Sequence, residues 1–482
     1  MTAQRKLVRG AVGYAFRQVA ITGLGFGANL FLTRLLFPAD FGYIATVNIL
    51  LQLVQLVANG GLGVYLIQRE EEIQDNDLSR VMSLQLSIYL VCHFVSSIAT
   101  AGAFALKSDM SLWMLLWVAF FAIPFSLIRS ASLIKLERGL EFQTIALLET
   151  AEQLLYSVLL VVLAFVHAGA WSVVLASLAR AVFGLILASY YAPWHFSPHR
   201  PKITAELRKG IIFGVQYQLP SLLEIGRAAI LPVMVGGLLG AQNVGYVDRA
   251  FFIANLPVLV LAAVQQRLLF PYFARIQSNP ETVRKAFEET IYLSAIMDKV
   301  AYLPLFLFLP ELVRIVFSEK WIPIVPLVYV IAVGSVLVGA ISFSSVPTLN
   351  GLGQSQVFAK VSLANLIISW LLAWPFITAF GIVGYTLVTQ LLWLGIFYFV
   401  IEIRKHIKSV SVWRPIFSPV LAFLSSLVIT RMLVDWLAIT AASLLQIIGF
   451  SVLSITVFFA ILFLLDRQRF LLTLGHLSRN LK

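Results

Sequence analysis

The sequence predicts an all-α integral membrane protein with about fourteen transmembrane helices. Three observations predict it: 60% of the 482 residues are hydrophobic, only 12% are charged, and the apolar residues gather in long runs. A run of about 20 apolar residues crosses the ~30 Å hydrocarbon core as a helix, and these runs lack the alternation of barrel strands. The expected spans are 12–35, 42–67, 81–105, 110–133, 144–166, 169–191, 211–236, 246–270, 290–316, 324–346, 358–379, 381–403, 414–434 and 440–465.

The basic residues predict how the chain is oriented. A formal net charge of +12 would by itself suggest a nucleic-acid partner. However, most of the 35 Lys and Arg residues fall in alternate connectors, on the side where both ends of the chain lie. Cytoplasmic loops of membrane proteins show this excess of positive charge. The positive charge therefore reflects the membrane topology and does not indicate a nucleic-acid partner. Both termini are expected to be cytoplasmic, and the first span is expected to remain as a signal anchor.

The sequence lacks the motifs of several other classes of protein. It contains no Gly-x-x-x-x-Gly-Lys-Ser/Thr loop, so the sequence shows no nucleotide-binding motif through which ATP could drive transport. Cys92 is the only cysteine, which excludes an intrachain disulfide and a cysteine-based metal site. No His, Asp or Glu residues have metal-ligand spacing. The connectors are short, so we expect no enzyme, no metal and no cofactor.

Two stretches about 200 residues apart share a pattern. Gly42-Tyr43 and Gly245-Tyr246 each follow a Leu-Leu pair at the same spacing. The spans that follow run in the same direction, which predicts a parallel pseudo-repeat of the kind that many transporters contain. The predicted organisation is a six-helix lobe at 1–200, a second six-helix lobe at 201–408, and two C-terminal helices with a cytoplasmic tail at 409–482.

Ionisable residues inside the spans are costly and are expected to face a protein interior or a wet cavity. Arginines from spans 1, 7 and 8 would line a cleft between the lobes, and guanidinium groups suit an anion that carries phosphate. Glu224, Asp298 and Lys299 are candidates for charge pairing or for carrying a coupling ion. Glu149 and Glu152 of span 5 are further acidic candidates for the ion. For each residue a structural role is the alternative, as an internal pair or as a side chain that reaches the interface. The candidate cavity residues are Arg17, Arg34, Arg227 and Arg249.

Several motifs follow one another along residues 1–400. They lie at 33–43 (TRLLFPADFGY), 59–63, 244–250, 269–275, 309–311, 317–321 and 349–353. In the order and spacing of these motifs, the chain resembles the polysaccharide transporters. These are the Wzx-type oligosaccharide flippases of the multidrug/oligosaccharidyl-lipid/polysaccharide superfamily. Arg34 and Arg249 lie within the matched motifs, whereas Arg17 and Arg227 depend on the cavity argument alone.

The resemblance implies two six-helix lobes around a cationic cavity. It implies that an undecaprenyl-pyrophosphate-linked oligosaccharide is flipped across the bacterial inner membrane by alternating access, for exopolysaccharide, O-antigen or capsule assembly. The implied partners are this lipid-linked oligosaccharide, membrane lipids and a downstream polysaccharide polymerase. Coupling to Na⁺ or to protons stays open.

Other functions also stay open. A multidrug exporter of the same superfamily would carry cations in an acidic cavity, whereas the charges expected at depth are basic. A flippase for the peptidoglycan lipid precursor would share the pyrophosphate chemistry. A membrane-bound enzyme of polysaccharide assembly would need a loop domain and a catalytic cluster. A scaffold subunit without transport would not need unpaired arginines in the membrane.

Overall fold

The computed structural model describes residues 21–105, 109–199, 205–354, 356–407, 409–437 and 443–471. Most of these residues are helical and none lies in a β-strand, which confirms the all-α class. Among them, 11 helical segments are long and apolar enough to cross a membrane, as in a multi-pass membrane protein. They do not establish the expected count of fourteen. One segment, Gln356–His406, covers two expected spans, and the first expected span lies partly outside the described residues.

The chain divides into two compact units, residues 1–245 and 246–482. The first unit holds α1 (21–35), α2 (Pro38–Asn59), α3 (Leu62–Gln68), α4 (Asp75–Ala105), α5 (Met110–Phe120), α6 (Ala122–Arg138), α7 (Phe142–Phe165), α8 (Trp171–Tyr191), α9 (Ala205–Ala228), a π-helical turn (Leu231–Gly236), α10 (Gly237–Leu239) and the first turn of α11 (Ala241–Ile276). This unit extends beyond residue 200, where the first lobe is expected to end. The lobe boundaries themselves stay predictions.

The second unit holds the rest of α11 and six further helices. The helices are α12 (Pro280–Leu312), α13 (Val325–Gly351), α14 (Gln356–Leu391), α15 (Gly395–His406), α16 (Arg414–Trp436) and α17 (Leu444–Leu465). Three short turns lie between them: a π-helical turn (Val313–Phe317) and two 3₁₀ turns (Glu319–Ile324 and Leu392–Leu394). Gly381 interrupts α14 with a φ of 57°. This position separates the two expected spans that share the segment.

The start and the end of α2 show how motif residues shape the first unit. Proline suits the first turn of a helix, and Pro38 begins α2. Asp40 then accepts hydrogen bonds from the Phe37 amide at 3.0 Å and from the Ala170 amide at 3.2 Å, which ties α2 to the α7–α8 turn. At the other end, Gly60 and Gly61 have φ values of 57° and 68°. The expected span 42–67 is therefore two helices.

Helix α12 is the centre of the second unit. It packs against α13, α16 and α17, and its Tyr292 and Tyr302 side chains are fully buried. The Tyr302 hydroxyl donates to the Ala254 carbonyl at 2.8 Å, and Ser426 of α16 donates to the Ser454 carbonyl of α17 at 2.6 Å. In a membrane, close packing and hydrogen bonds of this kind hold helices together. The two C-terminal helices thus pack directly on the core of this unit.

Candidate substrate site

Helices α2 and α11 meet through two glycines at equivalent positions of the expected repeat. A Cβ atom at Gly42 would overlap the Ala241 carbonyl oxygen, and a Cβ atom at Gly245 would overlap the Pro38 carbonyl oxygen. Each glycine therefore faces the carbonyl group four residues before the other glycine. The contact is reciprocal, and only a residue without Cβ permits it; the parallel repeat itself stays a prediction.

A second close crossing lies at the opposite end of α2. A Cβ atom at Gly214 of α9 would overlap the Gly60 carbonyl oxygen, and one at Gly61 would lie 2.5 Å from the Gly214 Cα atom. Asn59 also anchors this end, because its carbonyl oxygen accepts a hydrogen bond from Gln85 Nε2 at 2.8 Å. Helix α2 is therefore held by backbone contacts at both ends, to α11 at one and to α9 at the other.

Arg227 of α9 forms an ion pair with the glutamate one helical turn earlier. Its Nη2 and Nε atoms lie 2.9 and 3.1 Å from Glu224 Oε2. The two side chains are 32% and 41% exposed. Spacing of three residues puts side chains on neighbouring positions of a helix, so the sequence contained this signal. The pair is therefore only partly buried.

Arg249 of α11 is held more firmly. Only 8% of the residue is exposed, and its Nη2 and Nε atoms lie 2.7 and 2.9 Å from Asp248 Oδ2. Its Cζ atom also lies 4.8 Å from the centre of the Phe252 ring, a cation–π geometry. Adjacent helical residues do not normally face each other. For this reason the sequence analysis did not identify Asp248 as the partner.

The Asp298–Lys299 pair is buried within α12. Lys299 Nζ lies 3.1 Å from Asp298 Oδ2, and the side chains are 0% and 3% exposed. The second carboxylate oxygen, Oδ1, is buried without a hydrogen-bond partner among the described residues. A buried ion pair costs desolvation energy that its attraction barely offsets. The pair compensates its own charges, and its role in ion coupling stays a prediction.

The other two candidate arginines are Arg34 and Arg17. Arg34 lies at the end of α1, and its side chain is exposed. Arg17 lies outside the described residues. The single cavity expected around the four arginines therefore stays a prediction. Among the described residues, no group of three His, Cys, Asp or Glu side chains could hold a metal ion.

The first unit also contains a buried charge cluster, whose pairing the sequence did not reveal. Glu152 of α7 has a side chain 4% exposed, and its Oε1 atom lies 2.7 Å from Arg129 Nε of α6. Its Oε2 atom lies 3.9 Å from Arg180 Nε of α8, and Arg180 also stacks over the Tyr156 ring at 5.7 Å. Glu152 and Arg180 lie at similar depths on either side of the α7–α8 turn. Comparing depths across that turn could have indicated this pairing.

We expect Arg129→Met to destabilise the first unit by about 3–5 kcal/mol, because it leaves the buried Glu152 carboxylate with only the longer 3.9 Å contact to Arg180. The double variant Arg129→Met/Glu152→Leu removes both charges and should recover most of that loss. Unfolding of the purified protein by titration with SDS measures both effects. A single variant as stable as the wild type would show that the cluster is not held by this pair.

The fold of the chain and the charges held inside its helices are those of a multi-pass membrane protein with polar groups at membrane depth. The comparison of families narrows this class. The family model described as "Polysaccharide biosynthesis protein" matches residues 31–326, more than half of the chain. The chain belongs to this family, which confirms the resemblance to polysaccharide transporters seen in its motifs.

Curated relatives agree with this family. The lipopolysaccharide biosynthesis protein WzxC of Escherichia coli (strain K12) is 26% identical over 340 residues, which cover 70% of this chain and 68% of that protein. The teichuronic acid biosynthesis protein TuaB of Bacillus subtilis (strain 168) is 26% identical over 360 residues, covering 66% and 72%. The succinoglycan biosynthesis transport protein ExoT of Rhizobium meliloti (strain 1021) is 22% identical over 412 residues, covering 82% and 78%.

Solved structures share the fold. The lipid II flippase MurJ in an inward closed conformation superimposes with a TM-score of 0.69 at 14% identity, covering 95% of this chain and 99% of that one. An inward-facing multidrug resistance MATE family transporter of the MOP superfamily gives 0.59 at 16% identity, covering 83% and 100%. The family and the fold are thus those of transport proteins rather than enzymes.

Proposed function

We propose that this protein flips an undecaprenyl-pyrophosphate-linked oligosaccharide from the cytoplasmic to the periplasmic leaflet of the bacterial inner membrane. The repeat unit would then enter exopolysaccharide, O-antigen or capsule assembly through a downstream polymerase. The names of three relatives place those proteins in the biosynthesis of surface polysaccharides. The fold is shared with a lipid II flippase, whose name describes the movement of a lipid-linked precursor.

The observation that carries the proposal is the geometry of Arg249. Its guanidinium is almost fully buried in a helix of a membrane protein, yet a carboxylate and an aromatic ring hold it in one orientation. A guanidinium can bind two phosphate oxygens at once, and on this proposal the substrate phosphate exchanges with Asp248 for Nε and Nη2. Arg227 adds a second, more accessible cation. On this proposal Arg17 and Arg34 complete the cavity, and the pyrophosphate is what the arginines bind.

The proposal extends to orientation and coupling. The excess of basic residues in alternate connectors supports cytoplasmic termini. A coupling ion, Na⁺ or a proton, would act at a carboxylate within the membrane, and Glu224 and Asp298 are the candidates. Glu224 is the better placed, because it is 41% exposed whereas Asp298 is 3% exposed. Export by Glu224→Gln protein under imposed Na⁺ or pH gradients would show whether this carboxylate takes part.

The function is tested in a strain that lacks this protein and retains the polymerase. We expect complete oligosaccharide repeat units to accumulate on undecaprenyl pyrophosphate in the cytoplasmic leaflet, and the wild-type gene to clear them. Arg249→Ala should reduce export at least tenfold, about 1.4 kcal/mol in binding terms, while the protein still inserts into the membrane. Arg249→Lys should restore part of it, since the charge remains and the forked geometry is lost.

Arg284→Ala is a control for the loss of an ion-paired arginine, and in its pairing geometry it matches Arg227. Arg284 pairs with Glu281 at 2.6 Å with the same three-residue spacing as Glu224–Arg227, and its side chain is 26% exposed. It is not a candidate cavity residue, so its variant should export normally. Normal lipid pools combined with altered sensitivity to cationic drugs would instead support a multidrug exporter. Truncated repeat units would support an enzyme of assembly, and accumulated peptidoglycan precursor would support a flippase for that lipid.

A further inference from the structure

The second unit contains a cavity of about 540 Å³ where the end of α12, the start of α13 and the second half of α16 meet. This volume falls in the range of sites for small organic ligands. Most of the lining is apolar, and two charged side chains, Glu311 of α12 and Arg431 of α16, also line it. Neither residue belongs to the candidate substrate site. The cavity lies at the end of α12 opposite to its first turn, on the side expected to face the periplasm.

The polar atoms contributed by α12 and α13 are hydrogen-bond acceptors. Glu311 Oε2 is buried and has no hydrogen-bond partner in the described part of the chain. Pro310 has no amide hydrogen and cannot bond to the Phe306 carbonyl one turn earlier. The Tyr329 hydroxyl donates to that carbonyl at 3.3 Å instead, so the hydrogen of Tyr329 is used and its oxygen can only accept. A ligand that satisfies these atoms must donate hydrogen bonds, and an ammonium group does so while it neutralises Glu311.

The polar group contributed by α16 is a donor. Arg431 has a side chain 54% exposed and lies 3.3 Å from Asp435, an exposed pair of the kind that contributes little stability. Its guanidinium can therefore exchange Asp435 for a phosphate group. Val428 and Met432 border the cavity on the same helix and are 58% and 67% exposed. In a membrane protein such apolar surface faces acyl chains.

The geometry points to a phospholipid site for a headgroup that carries both a primary ammonium and a phosphate, that is, phosphatidylethanolamine. The ammonium is bound by Glu311 and the Tyr329 oxygen, the phosphate by Arg431, and the acyl chains lie along Val428 and Met432. Phosphatidylcholine has the same phosphate, but its quaternary ammonium has no hydrogen to donate. A single Na⁺ ion would satisfy Glu311 and leave no role for Arg431. This lipid site does not depend on the proposed transport function, and the two proposals are tested separately.

The test uses the full-length protein, purified in detergent, stripped of lipid and examined by native mass spectrometry. The probes are dioleoyl phosphatidylethanolamine, dioleoyl phosphatidylcholine and soluble O-phosphoethanolamine. We expect the ethanolamine lipid to bind about tenfold more tightly than the choline lipid, and the soluble headgroup to bind weakly. Glu311→Gln should abolish the preference by weakening only the ethanolamine lipid. Arg431→Met should weaken both lipids, because both contain the phosphate.

Glu319→Gln is the control, because Glu319 is an exposed carboxylate near the same end of the unit that does not line the cavity; it should bind like the wild type. Equal binding of the two lipids by the wild-type protein would overturn the proposal without any variant. So would an unchanged preference in Glu311→Gln. If soluble O-phosphoethanolamine bound as tightly as the lipid, the site would be one for a free metabolite. Thermal stabilisation by NaCl alone that Glu311→Gln removes would identify a cation site instead.

Discussion

Replacing Gly42 or Gly245 with alanine should disrupt the α2–α11 contact and with it export. The added Cβ atom meets a backbone carbonyl oxygen in either case, and a backbone atom cannot rotate away as a side chain can. Overpacking of this kind costs about 1–3 kcal/mol, occasionally more, and we expect the upper part of that range. Thermal unfolding of the purified protein and polysaccharide export in cells measure the two effects.

Gly102→Ala is the matched control for these variants. Gly102 lies in α4, and a Cβ atom there would meet nothing within 4 Å. Alanine is favoured over glycine inside a helix by about 1 kcal/mol, so this variant should be at least as stable as the wild type. The contrast separates the collision from the general effect of replacing a helical glycine.

The reciprocal geometry allows a sharper test. Either substitution alone separates the two helices, so the second should add little, and the double variant Gly42→Ala/Gly245→Ala should lose clearly less stability than the sum of the single losses. Residues that share one contact show coupling of about 0.5–3 kcal/mol in such a cycle. Strict additivity would mean that each glycine acts alone and that the symmetric contact does not exist in the folded protein.

The same two glycines show how far the sequence could predict this protein. Hydropathy predicted the all-α membrane class, and the Leu-Leu and Gly-Tyr spacing predicted that Gly42 and Gly245 are equivalent. The sequence pattern could not predict that these two glycines touch, because matching spacing indicates equivalent positions but not the distance between them. The sequence also did not reveal what the motif residues do in the fold. Asp40 caps the start of α2, and Gly60 and Gly61 end it. Hydropathy does not register such a turn, so it merged α2 and α3.

For the candidate site, the sequence predicted where charges lie but only some of their partners. The Glu224–Arg227 pair follows from helical spacing. Arg249 bonds to Asp248, the adjacent residue, and that pairing depends on side-chain rotamers rather than on helical periodicity. Glu152 pairs with Arg129 on another helix. Partners that are adjacent or lie on different helices require the folded structure.

Lys299→Met should destabilise the second unit as strongly as Arg129→Met destabilises the first. Lys299 is fully buried, and its Nζ atom is the cation beside Asp298. The variant leaves a buried carboxylate without its partner, and breaking a buried pair in this way costs about 3–5 kcal/mol. We expect a marked fall in resistance to SDS unfolding and a reduced amount of protein in the membrane.

Two further variants show what the pair does. Lys405→Met removes a lysine that pairs with Glu402 at 2.7 Å, but this lysine is 60% exposed, so the loss should be at most about 1 kcal/mol. Asp298→Asn/Lys299→Met removes both buried charges and should recover most of the stability lost in Lys299→Met. The export activity of that double variant then decides the role of the pair. Normal export would make Asp298 and Lys299 a structural pair, because a protein without the carboxylate could not use it to carry an ion. Lost export from a stable, correctly inserted double variant would make Asp298 a coupling residue, and Lys299 the group that sets its charge.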